Sequence, residues 1–242
     1  MPLPRFFTTQ PLAVGENAAL CETEHIRALR LRPGDEFTLC DGAGRDYRCE
    51  LISLGRAEAR AQILDCAPSP GEYGAVPEVF LAFSKGERLE YAVQKCVELG
   101  ARSFVLFPSR NVVARPEGQA LRNRLARLNA VARSAAEQCG RGIIPAVTAI
   151  DSFEAALALA SRAELPLLPY ELERERTLMS ALRDNPSAGT VSVMTGAEGG
   201  FTPAEAELAI ARGMKCVTLG ARILRCETAP AAVCAALALC AG

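Results

Sequence analysis

Two glycine-bearing segments hold most of the residues able to do chemistry. The first is Thr195-Gly196-Ala197-Glu198-Gly199-Gly200-Phe201-Thr202-Pro203, and it follows the run Val191-Ser192-Val193-Met194. Glycines beyond the carboxyl end of a strand let a ligand approach the backbone, whose N–H groups can then bind it. Thr202 and Pro203 read as a helix cap and a first helical residue. The spacing is neither G-x-G-x-x-G nor G-x-x-x-x-G-K-[ST], which argues against a nicotinamide enzyme or a P-loop NTPase. A turn without a ligand is the plain alternative. The second segment, Gly220-Ala221-Arg222-Ile223-Leu224-Arg225-Cys226-Glu227-Thr228-Ala229, follows Cys216-Val217-Thr218-Leu219. Ile223 and Leu224 are apolar in a loop that should face solvent, so they are expected to wall a pocket or a subunit interface. Two such loops at neighbouring strand ends have room for one adenosine-sized ligand.

Other chemistries lack their residues. His25 is the single histidine. It lies in no nucleophile motif, so a serine–histidine–aspartate hydrolase is disfavoured. The ten cysteines contain no C-x-x-C pair, and with one imidazole no metal site is expected. They read as small buried thiols of a reducing compartment. No apolar run approaches the roughly 18 residues of a membrane-spanning helix. The amino terminus carries no basic-then-apolar secretory signal. A cytoplasmic protein without a membrane partner is the expectation.

The elements that must position the loops fall into two parts. Residues 1–70 read mostly as β, with strands at Phe37–Cys40, Asp46–Leu54 and Ala57–Asp65. One short helix lies at Glu24–Leu31, with Thr23 as a possible cap. Residues 71–77 lie within a proline- and glycine-rich linker stretch. From 78 to 242 strands and helices alternate. Strands are expected at Glu78–Phe83, Phe104–Phe107, Ile143-Ile144, Leu165–Leu168, Thr190–Met194 and Cys216–Leu219. Helices are expected at Glu87–Leu99, Gln119–Gln138, Phe153–Ala160, from Thr202-Pro203, and at Ala229–Cys240. Such alternation implies an α/β fold, a parallel sheet with helices on both faces.

Net charge is −1, but it is unevenly spread. Residues 84–150 hold eleven Lys/Arg against five acids, a local excess of six. That excess points to a polyanion, with a solvated helix face as the bland explanation for Arg122, Arg124 and Arg127.

The chain resembles the RsmE-type methyltransferases of the SPOUT class. The resemblance runs through Arg5-Phe6-Phe7, His25, Arg30-Leu31-Arg32-Pro33-Gly34-Asp35 and Asp41-Gly42. It continues through Lys85, Gln94-Lys95-Cys96-Val97-Glu98-Leu99-Gly100, Ala136-Glu137-Gln138-Cys139-Gly140-Arg141 and Ile144-Pro145. The glycine loop is similar to G-P-E-G-G, and the second loop to L-G-x-R-I-L-R-x-E-T-A. Ala197, Ala221 and Cys226 depart from that pattern. The resemblance implies a trefoil-knotted parallel sheet and a small PUA-like β-barrel domain that binds RNA. It implies S-adenosylmethionine as cofactor, no metal, a homodimer, and methylation of uridine N3 in ribosomal RNA of the small subunit.

On that resemblance the cofactor residues are Leu168, Thr195, Gly196, Ala197, Glu198, Gly199, Gly200, Leu219, Gly220, Ile223, Leu224, Thr228 and Ala229. Methyl transfer needs alignment, and stabilisation of charge that spreads onto the uracil carbonyls. Arg225 is the candidate cation, with an ion pair to Glu227 as its structural alternative. Glu198 is the candidate base, with a loop-fixing hydrogen bond as its alternative. RNA contacts are expected from Arg5, Lys85, Arg88, Arg110, Arg115, Arg133 and Arg141. Aromatic residues are 5% of the chain and tryptophan is absent. Phosphate contact is therefore expected to outweigh base stacking. A SPOUT enzyme with another RNA target, such as ribose 2′-O, and a non-catalytic RNA-binding protein are the competing functions.

Overall fold

The computed structural model describes residues 3–70, 72, 76–111 and 116–240. The chain divides into two compact units, Met1–Glu72 with Ala136–Ile144, and Tyr73–Ala135 with Pro145–Gly242.

The first unit contains β1 (Arg5–Phe7), β2 (Asn17–Leu20), α1 (Thr23–Ala28), β3 (Glu36–Cys40), β4 (Arg45–Leu54) and β5 (Ala59–Pro68). Its sheet runs β1-β3-β4-β5-β2. β1 pairs parallel to β3, and the other neighbours are antiparallel. The β4–β5 hairpin turns at Gly55, whose N–H donates to Glu58 O at 2.9 Å. Alternate residues Phe37, Leu39, Cys49, Leu51, Ala61 and Ile63 point inward and form the core with Phe6 and Ile26. Thr23 does not cap α1. It is buried, and its Oγ donates to Arg56 O at 3.0 Å. Arg30 adopts a left-handed conformation (φ 60°) and stops the helix ahead of Pro33-Gly34.

The return of Ala136–Ile144 to this unit departs from a boundary drawn only at the linker. Gly44 N–H donates to Gly142 O, Ile144 N–H donates to Gly42 O, and Ile143 bridges Ala43. The isolated bridge is all that the expected strand at Ile143-Ile144 amounts to. Regular pairing begins at Ala146.

The second unit contains β6 (Val76–Ala82), α2 (Arg88–Glu98), β7 (Ser103–Phe107), α3 (Gly118–Cys139, its last turn in the first unit), β8 (Ala146–Ala149) and α4 (Phe153–Ala160). There follow β9 (Leu165–Pro169), α5 (Leu178–Arg183), β10 (Thr190–Thr195), α6 (Pro203–Ala211), β11 (Lys215–Val217) and α7 (Thr228–Cys240). The six strands run β11-β9-β10-β6-β7-β8, all neighbours parallel. Period-two alternation divides two cores. Leu165, Leu167, Val191 and Val193 face α5 and α7 residues such as Leu182 and Val233. Leu168 and Met194 face α4 and α6 residues such as Leu157 and Ala209. Each large side chain so buried contributes about 1.5–3 kcal/mol.

The connectivity is out of order. β11 lies outside β9 rather than beside β10, and α7 then packs on β10, β6 and α2. The chain at Val217-Thr218 is clasped by the segment after β9. Tyr170 N–H donates to Val217 O, Thr218 N–H to Arg176 O, and Leu178 N–H to Thr218 O.

Candidate active site

β9, β10 and β11 are neighbours, so their carboxyl ends open on one edge of the second unit's sheet. There a cavity of about 380 Å³ is lined by Pro169 at the end of β9 and Glu171 beyond it, Thr195 at the end of β10 and Gly196–Phe201 beyond it, Ile223–Glu227 after β11, and Arg88 and Ala229. A second hollow of about 200 Å³ shares Pro169, Glu171, Ile223, Leu224 and Ala229 with it and adds Leu219, Gly220 and Arg222.

The glycine loop is tight. Gly200 N–H donates to Ala197 O at 2.9 Å, closing a turn. A Cβ on Gly196 would lie 2.8 Å from the Gly200 carbonyl carbon, so a side chain there collides with backbone. Gly200 sits at φ +63°, the region glycine favours. Asn111, after β7, donates from Nδ2 to Gly199 O and Gly200 O at 2.9 and 3.1 Å. Ala197 is buried among Phe80, Phe107 and Phe201, so the smaller side chain in place of proline still anchors the loop. Beyond the loop, Thr202 caps α6 as expected. Its Oγ accepts from Glu205 N–H, the Glu205 carboxylate accepts from Thr202 N–H, and Pro203 opens the helix. The same Glu205 accepts from Arg110 N–H at 2.9 Å, which ties the stretch after β7 to α6.

Glu198 lines the cavity but is not poised as a base. Burial alone would raise its pKa. Hydrogen bonds from its own N–H and Lys85 N–H, and the Arg88 guanidinium, outweigh that and hold it below its ordinary value. Its Oε1 accepts from Lys85 N–H at 2.9 Å and from Arg88 Nη1. A carboxylate held this way is a weaker proton acceptor, so the loop-fixing alternative is the one the geometry favours. Arg225 is exposed, and its side chain makes no hydrogen bond or ion pair among the described residues. Its carbonyl accepts from Thr228 and Ala229 N–H and starts α7. Glu227 lies instead near Arg88, at 3.9 Å, so the Arg225–Glu227 pair does not form.

Most other expected cofactor residues are gathered here, with two exceptions. Leu168 is fully buried in the core behind the site and contributes no side chain to the cavity. Thr228 is the first residue of α7 and lines neither hollow. Ile223 is 84% exposed at the cavity's lip.

The expected RNA contacts divide. Arg5 is a correction: its guanidinium pairs with Asp46 at 2.6 Å and also reaches Cys40 Sγ and Arg141 O. Arg141 is another: it is 4% exposed and forms a forked pair with Glu72. Arg88 is taken up by Glu198 and Glu227. Arg133 is half-buried on α3, and Arg115 lies outside the described residues. Lys85 and Arg110 remain exposed on the loops after β6 and β7, their side chains unpaired among the described residues. The bland explanation for the helix arginines is partly replaced. Arg124 and Arg127 both reach Glu90 of α2 at 3.0 Å.

Sequence reasoning missed Asn111, Glu171 and the cavity role of Arg88. Glu171 was within reach of the rule that ligands lie beyond strand carboxyl ends, applied to β9 as well as β10. Asn111 carried no local signal. Among the described residues, no three His, Cys, Asp or Glu side chains gather as metal ligands, and no helix is long and apolar enough to cross a membrane.

Residues 76–238 match the family described as RNA methyltransferase domain, and residues 22–64 the family described as RNA methyltransferase PUA domain. The ribosomal RNA small subunit methyltransferase E of Bacillus subtilis is 30% identical over 215 residues, 86% of this chain and 84% of that protein. The chain belongs to the ribosomal RNA small subunit methyltransferase E family. The Mycobacterium tuberculosis member is 34% identical over 207 residues, 84% of this chain and 77% of its own. A crystal structure of the Neisseria gonorrhoeae member bound to S-adenosyl methionine superposes with a TM-score of 0.83 at 33% identity, covering 97% of this chain and 96% of that one. Membership of this family agrees with the expected fold, a SPOUT-type parallel sheet with helices on both faces beside a PUA-like β unit. The two segments that carried the resemblance, Gly196–Gly200 and the loop before α7 with Ile223–Glu227, are the loops that wall the 380 Å³ cavity.

Proposed function

We propose that this chain transfers a methyl group from S-adenosylmethionine to N3 of a uridine in small-subunit ribosomal RNA, using the cavity at the ends of β9, β10 and β11. One observation carries the reading: a glycine-walled cavity between two loops in a chain of this family. Its charges fit the cofactor. Glu171, Glu198 and Glu227 oppose Arg88 and Arg225, a formal −1 lining, which complements a ligand carrying a sulfonium, an ammonium and one carboxylate. When bound, that group supplies a methyl already activated for in-line displacement.

The chain's residues supply position and charge. The Gly196–Gly200 backbone gives close approach, and Leu224 and Ile223 give apolar wall. Arg225 lines the cavity with its side chain unpaired among the described residues, and offers a planar cation to the uracil oxygens as N3 loses its proton. Lys85 and Arg110 follow β6 and β7 on the same sheet edge and take RNA phosphates. The reading includes a cytoplasmic homodimer, with exposed Ile223 and Leu239 as apolar surface for a second copy. Sedimentation of a monomer at micromolar concentration would remove the dimer from it.

Nucleoside mass spectrometry of small-subunit RNA from a strain lacking the protein tests the reaction. Loss of N3-methyluridine, restored by wild type, is expected. Loss of a ribose 2′-O-methyl group, or no loss, refutes it. Arg225→Ala should lower the single-turnover rate about 10²-fold while cofactor affinity is kept, and lysine should rescue it in part.

A further inference from the structure

Arg88 stands in the first turn of α2, and its guanidinium spans two carboxylates from two different loops. Nη1 donates to Glu198 Oε1 in the loop after β10. Nε lies 3.9 Å from Glu227 Oε2 in the loop after β11. Lys85 N–H, one turn earlier in the chain, reaches the same Glu198 oxygen at 2.9 Å. Cys226 Sγ donates to Glu227 Oε2 at 3.2 Å. The Glu227 side chain is 14% exposed and Glu198 30%, so these charges are screened less than surface pairs. Without a cation between them, two carboxylates would face one space and push their loops apart.

We infer that Arg88 is the positioning residue that sets one cavity loop against the other, by holding the Glu198 and Glu227 carboxylates to a single guanidinium. The inference rests on the cavity being the S-adenosylmethionine site. Neither loop is part of the sheet, and a ligand held by two loops binds only the fraction of molecules in which both are in place. A planar fork addresses two acceptors at once, whereas an ammonium is one point charge.

The pH dependence has a definite sign. The groups facing Glu198 are its own N–H and that of Lys85, Arg88 from α2, and Cys226 from the second loop, while Glu227 meets the same Arg88 and Cys226. With the Glu198 pKa lowered in the folded protein, the clamp is complete above the unfolded value. It is lost as pH falls through the folded value. Removing Arg88 takes away the opposing charge, so the acid fall-off in cofactor affinity moves to higher pH.

The test uses the full chain as wild type, Arg88→Gln, Arg88→Lys and Glu227→Gln. S-adenosylmethionine affinity is measured by calorimetry across pH, and amide hydrogen exchange is measured without ligand. Arg88→Gln should weaken affinity about 10-fold or more, the usual scale of coupling between elements. It should also move the acid fall-off upward, and expose the amides of 196–200 and 222–229 together. Lysine should restore one loop and not both. A folded Arg88→Gln protein with wild-type affinity and acid fall-off overturns the inference, as does exchange that rises in one loop only. If Arg88→Gln does not fold, Arg88→Lys decides: full protection of both loops overturns it. If the wild type fails to bind S-adenosylmethionine, the site reading falls, and the ligand-free exchange still decides the clamp.

Discussion

Gly196→Ala puts the smallest possible side chain where two stretches of backbone meet. The new Cβ would lie 2.8 Å from the Gly200 carbonyl carbon and 3.1 Å from its Cα and O. Ordinary carbon contacts begin near 3.5 Å, so the Ala197–Gly200 turn must open by about 0.7 Å. Overpacking of this kind costs about 1–3 kcal/mol. The turn can relax outward in the free protein but must close on the ligand, so the cost falls on binding. At about 1.4 kcal/mol per tenfold, the dissociation constant for S-adenosylmethionine should rise roughly 5- to 150-fold. The melting temperature should move by only a few degrees. Gly213→Ala is the control. Gly213 has φ +91° with nothing within 4 Å of an added methyl, so its substitution carries backbone strain without a collision. It should cost about 1–2 kcal/mol of stability and leave affinity alone. Calorimetry and melting on both variants separate strain from collision. A folded Gly196→Ala protein that binds as tightly as wild type would refute the argument that this turn walls the cofactor.

Three further outcomes follow from charges and thiols. Arg141→Ala should destabilise the protein by about 1.5–3 kcal/mol, because it removes the charged fork to the half-buried Glu72 carboxylate, which keeps only its Gly142 and Ile143 N–H donors; denaturant unfolding checks this, and a loss confined to RNA affinity would contradict it. Removing Lys85 and Arg110 together should flatten the log–log salt dependence of RNA binding by about 1.4–1.8, one phosphate contact each; an unchanged slope would mean neither meets RNA. Burial first, then Glu227, pushes the Cys226 thiol up to about 12. At pH 8 iodoacetamide should therefore modify exposed Cys21 and Cys240 well before Cys226. The linked stability is complete below about 9 and lost as pH rises toward 12; early labelling of Cys226 would show that its thiol is not held by Glu227.

The parts of this fold that were legible in sequence share a physical cause. β10, α4 and the α6 cap announce themselves locally, through β-branched residues, through Phe153–Ala160, and through the Thr202-Pro203…Glu205 box. β1 has three residues and α5 six, too few for a period to show, and their identity comes from neighbours distant in the chain. The charges were harder for a related reason. Sequence displays a guanidinium but not the carboxylate it meets. Arg5 finds Asp46, Arg141 finds Glu72, Arg88 finds Glu198, and Arg124 finds Glu90, each 34 or more residues away. A local excess of six positive charges is thus an upper bound on what RNA can use.

What survives this pairing is more informative than the excess itself. The exposed side chains of Lys85, Arg110 and Arg225, unpaired among the described residues, stand on the loops after β6, β7 and β11. In a parallel sheet those loops share one edge with the glycine loop after β10. Side chains that leave a charge unsatisfied gain nothing for stability from their position. Their gathering at the cavity edge is what a site for an anionic partner requires. Arg88 differs, its charge being used between two loops. On the proposed reading, a uridine brought to this edge meets the glycine cavity with Arg225, after β11, to one side and Lys85 and Arg110, after β6 and β7, to the other.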